Sequence, residues 1–211
     1  LNLIDNFLIE KNSFVFESVE KGKIKGRYTI FGKNPDKIWE FKNKNSYLIQ
    51  NDKKTKLKDK PENLIEKIIE EFKFETPKNL PKICSLISGY FSYDSIRYIE
   101  NIPNSCKDDL NIPDVRLLRP RTLIIHDNLN KEIFYIRNIF KDERIKNYKK
   151  KYKEIKLSLL SLLIQSSMRN INIRAQSRSK SIKVKSNTPK NKFLKMVNKA
   201  KKYIRLGDIF Q

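Results

Sequence analysis

The feature that most constrains this chain is period-two alternation between Ser13 and Gln50, in the runs SFVFESVE, RYTIFG, KIWEF and SYLIQ, each set off by glycine, asparagine or aspartate. Alternation puts successive side chains on opposite faces of a pleated strand, and turns at this spacing join neighbouring strands without a crossover helix. The pattern predicts an antiparallel meander. One strand within it is unusual, because Glu17 and Ser18 follow Phe14-Val15-Phe16. Phe14, Phe16 and Ser18 share one face and Val15, Glu17 and Val19 the other, so both faces mix apolar and polar groups. Such a strand suits the wall of a site for a small zwitterion, where a carboxylate or carbonyls hold an ammonium and a hydroxyl or backbone amide meets a carboxylate. The plainer reading is a strand end fraying into solvent before the turn EKGKIKG.

Beyond the meander the period changes. Leu64, Ile65, Ile68, Ile69 and Phe72 fall on one helical face, with Pro61 placed to start a helix over 61–74. Pro77 and Pro81 then break the chain. In CSLISGYFSYDSIRYIE, Gly89 marks a bend or a close backbone approach, and a short helix is expected over Tyr93 to Ile99. VRLLRPRTLIIHD and EIFYIRNI predict a hairpin around Asn128 to Lys131, with Pro120 marking a bulge or an edge. A basic helix follows over 143–165. The Ser-rich stretch 166–188 lacks a stable period and reads as an interdomain linker, and Thr188-Pro189 are placed as the N-cap and first residue of a helix bearing Phe193, Val197, Ala200 and Ile204 on one face. The expected organisation is a domain over 1–165, a linker over 166–188 and the start of a second domain over 189–211, in an α+β class of antiparallel sheets with helices packed outside.

At 211 residues the chain is long enough for a proper core. Lys plus Arg number 46 against 24 Asp plus Glu, a formal charge of +22. The excess is spread along the chain and dominated by lysine, with asparagine and isoleucine equally abundant, so it does not mark a nucleic-acid surface of grouped arginines and stacking aromatics. Cys84 and Cys106 form no disulfide framework and lack a zinc-ligand spacing, which fits a reduced, cytoplasmic compartment. No segment approaches the roughly 18 consecutive apolar residues of a membrane span.

Candidate chemistry is sparse. His126 ends an apolar strand and reads as an ordinary strand-end residue. Asp108, Asp109 and Asp114 lack the spacing and glycine of a calcium loop, and the five glycines are scattered singly, so no phosphate loop exists.

Four segments carry a resemblance to a known family. Phe16-Glu17-Ser18-Val19-Glu20 with Gly26-Arg27-Tyr28-Thr29-Ile30-Phe31-Gly32 resembles the N-terminal signature of anthranilate synthase component I. ISGYFSYDSIRYIENIP, DDLNIPDVRLLRPRTLIIHDN and KMVNKAKKYIRLGDIFQ resemble three further family segments in the same order. Thr29 stands where the family has serine, and Phe14 to Phe16 replace a leucine-rich run. The resemblance implies the large subunit of a lyase of tryptophan biosynthesis, which converts chorismate to anthranilate and pyruvate with Mg2+ and with ammonia from a glutamine amidotransferase partner, component II. It implies feedback inhibition by L-tryptophan bound at Phe16, Glu17 and Ser18. Because the family's catalytic base and metal-binding carboxylates follow the GDIFQ segment, no catalytic or metal-binding residue is expected here and the chain alone is expected to be inactive. The chain start at Leu1 and the interrupted pattern at Gln211 are read as the cut ends of a longer protein. Aminodeoxychorismate synthase component I shares this domain plan, and a non-catalytic tryptophan-binding module is the reading from another class.

Overall fold

The computed structural model describes residues 10–17, 26–72, 75–105, 107–141, 143, 145–169 and 186–210. The chain divides into two compact units, Leu1–Ile171 and Asn172–Gln211. The first is an α+β unit built on one seven-stranded antiparallel sheet: β1 (Phe14–Phe16), β2 (Tyr28–Lys42), β3 (Asn45–Gln50), β4 (Lys53–Leu57), β5 (Ser88–Phe91), β6 (Val115–Asp127) and β7 (Glu132–Arg137). Its helices among the described residues are α1 (Pro61–Glu71), a 3-10 turn (Tyr93–Tyr98) and α2 (Tyr148–Arg169).

RYTIFG and KIWEF are not two strands but parts of the single fifteen-residue β2. The Asn34-Pro35-Asp36 cluster that reads as a turn is instead a bulge, where the β2 register against β6 shifts between Pro35 and Lys37. Asn34 takes φ +52°, within the left-handed region asparagine tolerates. Pro35 lies directly opposite Pro120, so the two residues without an N–H fall on the same rung of the ladder. Pro120 thus sits at the expected irregularity, but in a buried central strand and not at an edge. The bulged residue, Asp36, is buried and forms a two-pronged ion pair with Arg119, whose guanidinium lies 4.0 Å from the centre of the Phe140 ring.

This joint divides the sheet. On one side β1 pairs with Ile30–Gly32 of β2 and β7 pairs with Thr122–Asp127 of β6. On the other, β3 pairs with Ile38–Lys42 and β5 with Val115–Leu118. Two half-sheets therefore share β2 and β6 and change neighbours at the paired prolines.

Tight turns set the β2–β3 and β3–β4 registers. Asn43-Lys44 and Asn51-Asp52 have positive φ at both positions, the conformation of two-residue hairpin turns that match strand twist. KKTKL carries almost no apolar signal and is missed by sequence reading; as the edge strand β4, its lysines discourage pairing with another chain. Gly89 makes the predicted close approach, because a Cβ there would lie 1.9 Å from the Arg116 carbonyl oxygen.

The larger core lies on one face of the second half-sheet. Trp39, Phe41, Val115 and Leu117 pack there against Leu64 and Ile68 of α1. Pro61 opens α1 at the position where a missing N–H costs nothing. On the first half-sheet, Val15, Phe31, Ile124 and Tyr135 make one row across four strands, with Phe31 and Ile124 buried.

α2 starts at Tyr148 and runs to Arg169, later at both ends than the composition suggests. The second unit contains α3 (Lys190–Leu206). Its N-cap is Pro189 and not Thr188, whose hydroxyl donates to the Asn187 side chain. At the other end Gly207, at φ +78°, turns the chain out of the helix, while the Asp208 N–H closes back onto the Tyr203 carbonyl.

Candidate functional site

The Glu-Ser strand lies at the edge of the first half-sheet. Phe14 packs its ring over Gly32, where a Cβ would come within 2.2 Å of that ring, so the ring occupies the space a side chain at 32 would fill. The Phe14 and Phe16 ring centres are 5.1 Å apart. Phe16 shares a row with Ile30, Ile125 and Phe134; Ile125 is fully buried, while Phe16 remains 48% exposed. Glu17 follows at the surface, and Ser18 lies outside the described residues. Phe16 thus leaves an open apolar surface at the sheet edge, and Glu17 is exposed beside it in sequence.

Where the chain re-enters the described structure it is clamped. Gly26 adopts φ +74°, and Arg27 donates to both carboxylate oxygens of Asp127, its terminal nitrogen at 2.7 Å. Asp127 also accepts from the Leu129 N–H at 2.9 Å and from the Asn130 side chain at 3.2 Å. Arg27 holds this carboxyl down to about pKa 2, against its burial and with help from the Asn130 and Leu129 N–H groups. The Arg27 guanidinium is raised in turn by the same bond and lies 4.8 Å from the Tyr28 ring centre. Asn128 completes the clamp, its N–H donating to the Arg27 carbonyl at 2.7 Å and its side chain to the Gly26 carbonyl and the Thr29 hydroxyl. Gly26-Arg27-Tyr28 and Asp127-Asn128, from two of the quoted segments about a hundred residues apart, thus fix the start of β2.

The remaining segments of the first unit also meet. The Tyr98 hydroxyl donates to Asp114 at 2.7 Å, and burial, then that carboxylate, pushes the phenol far above its ordinary range. Asp114 further accepts from the Asn43 N–H at 3.0 Å. Lys42 donates to Asp108 and to the Ile112 carbonyl, and its bond holds Asp108 below the usual carboxylate range. These aspartates serve lysine, tyrosine and backbone donors. Among the described residues no group of three His, Cys, Asp or Glu gathers to hold a metal ion, so they do not fit a magnesium site.

Sequence reading missed one buried network. Glu40 accepts from Arg116 at 2.8 Å and Lys54 at 2.7 Å, and Arg116 also reaches Asn12 at 2.6 Å. The available signal was a lone acid within the aromatic strand KIWEF, a position that demands a paired cation.

The sheet with its outer helices and the interlocking of the quoted segments define a class. Residues 13–211 match the family described as chorismate binding enzyme, and the chain belongs to that family. The relatives it resembles are component I of anthranilate synthase. It is 32% identical to "Anthranilate synthase component 1" of Acetivibrio thermocellus over 100% of its own length and 44% of that protein's, and 29% identical to that of Cereibacter sphaeroides over 95% and 41%. It is also 29% identical to "Anthranilate synthase alpha subunit 1, chloroplastic" of Oryza sativa subsp. indica over 96% of the chain and 38% of that protein. The chain thus spans about two fifths of the length of these relatives. The crystal structure of anthranilate synthase component I from Streptococcus pneumoniae TIGR4 shares the fold, with a TM-score of 0.58 at 21% identity over 90% of this chain and 41% of that one.

Proposed function

We propose that this chain is part of the large subunit of an anthranilate synthase, which converts chorismate to anthranilate and pyruvate with ammonia from a glutamine amidotransferase, component II. The observation that carries this reading is the similarity to anthranilate synthase component I along the whole chain. We place the protein in the cytoplasm; no helix among the described residues is long and apolar enough to cross a membrane. Magnesium belongs in this proposal to the complete enzyme.

Within that enzyme the Glu-Ser strand is assigned to feedback control by L-tryptophan. Phe16 packs against the indole, the Glu17 carboxylate faces the ammonium, and the Ser18 hydroxyl bonds the amino acid. What supports this is the exposed aromatic surface at Phe16, with the buried Ile125 row behind it and the Arg27–Asp127 clamp at the start of β2. The described part is open, so this chain alone is expected to bind tryptophan weakly or not at all.

The test uses the complete enzyme with chorismate, Mg2+ and ammonia, following the fluorescent product. Anthranilate is the expected product, and formation of aminodeoxychorismate instead would overturn the activity. Ser18→Ala is expected to keep turnover near the parent value while raising the tryptophan concentration for half-inhibition by about tenfold, the loss of one hydrogen bond to a charged ligand. An unchanged inhibition curve would remove Ser18 from the regulatory site.

A further inference from the structure

The face of the first half-sheet opposite Phe16 bounds, with α2, a cleft of about 400 Å3. Lys33, Thr122 and Arg137 stand side by side on one rung of β2, β6 and β7 and line one wall. α2 supplies the other wall, including Ser158 and Ser161, and the Tyr135 hydroxyl meets Ser158 Oγ at 3.1 Å.

The charges here are unequal. Lys33 reaches Glu10 and Lys151 reaches Glu154, and those carboxylates are 43% and 51% exposed. Among the described residues, by contrast, Arg121 and Arg137 share the carboxylate of Glu143, which lies 3.0 Å from Arg121 Nε and accepts from Arg137 at 3.3 Å. Two guanidiniums on one carboxylate leave the trio with a net positive charge, and the Arg137 side chain is only 15% exposed. Burial lowers the Arg137 pKa, Glu143 opposes that shift and Arg121 adds to it. Of the three, Arg137 lines the cleft, while Arg121 is 31% exposed; a guanidinium held as deep as Arg137 favours an anion beside it. Thr122, 4% exposed, adds a hydroxyl on the same rung, and the volume suits a small metabolite.

We propose that this cleft binds a small oxyanion, the carboxylate or phosphate group of a metabolite, between Arg137, Lys33 and the Thr122 hydroxyl. The site lies on the other face of the sheet from the proposed tryptophan strand and does not rest on that assignment.

The experiment is thermal unfolding of the full chain titrated with inorganic phosphate and, separately, with succinate, each against sodium chloride of equal ionic strength. Filling the cleft is expected to raise Tm saturably, by roughly 5–10 °C at a hundredfold excess over Kd. Arg137→Gln is expected to abolish the rise. Ser161→Asp, which leaves the arginine–glutamate trio intact and brings a negative charge to the cleft, is expected to abolish it too while keeping the parent circular dichroism and a Tm in chloride at or above the parent's. A response to only one probe supports the site and identifies the group it prefers. A rise no larger than that in chloride, or one that survives in Ser161→Asp, would overturn the proposal.

Discussion

Asp127 shows how one carboxylate can organise a corner of the fold. It binds Arg27 from the start of β2 and the N–H groups that turn β6 into β7, so its charge ties two distant segments together. Its folded pKa of about 2 lies below the ordinary aspartate value of about 3.9, so the folded state binds its proton less readily than the unfolded one. The stability it contributes is full above about pH 4 and is lost as pH falls toward about 2. In Asp127→Asn, Tm at neutral pH is expected to drop and the acid limb of the Tm–pH profile to become shallower between those values; an unchanged acid limb would refute the clamp. Part of this was legible, since Arg27 and Asp127 both stand in quoted segments. Their meeting was not, because nothing in the local pattern pairs a strand start with a turn about a hundred residues away.

At the scale of elements, alternation and turn residues located β3, the β6–β7 hairpin and the onset of α1, because each has a local physical cause. The failures also have causes. β2 was divided in two because Asn34-Pro35-Asp36 is good turn chemistry that tertiary pairing with β6 overrides as a bulge. β4 escaped notice because an edge strand of lysines has no apolar face to alternate. The assignment of Phe16, Glu17 and Ser18 to a ligand site rests on the resemblance, and strand chemistry alone leaves a fraying strand end as the plainer reading. Gly89 was legible as a close approach, and it predicts how β5 docks: in Gly89→Ala the new Cβ would meet backbone atoms of Arg116 and Leu117, which cannot rotate away. The expected cost is at the upper end of the roughly 1–3 kcal/mol typical of overpacking, read as a lower urea midpoint, with the exposed strand β4 unaffected. A parent-like midpoint would show that β5 and β6 are not so closely apposed.

At the scale of the whole molecule, charge and topology dominate. A net charge of +22 on 211 residues makes the compact state repel itself. Raising salt from 0.01 M to 0.15 M shortens the screening length from about 30 Å to about 8 Å, so Tm is expected to rise over that range; a fall would mean that the ion pairs outweigh the repulsion. The paired prolines carry a further consequence, for how the sheet opens. Pro35 and Pro120 give the ladder a seam without amide protons, and on either side of it different outer strands hold β2 and β6. Amide exchange should therefore resolve two blocks with separate opening energies: one with α1 and the large aromatic core behind it, the other bounded by β1 and β7. The block bearing the Glu-Ser strand, with its three-residue edge and smaller core, is the one expected to breathe first, so a small ligand gripping that edge would slow exchange there well before it altered the rest of the sheet.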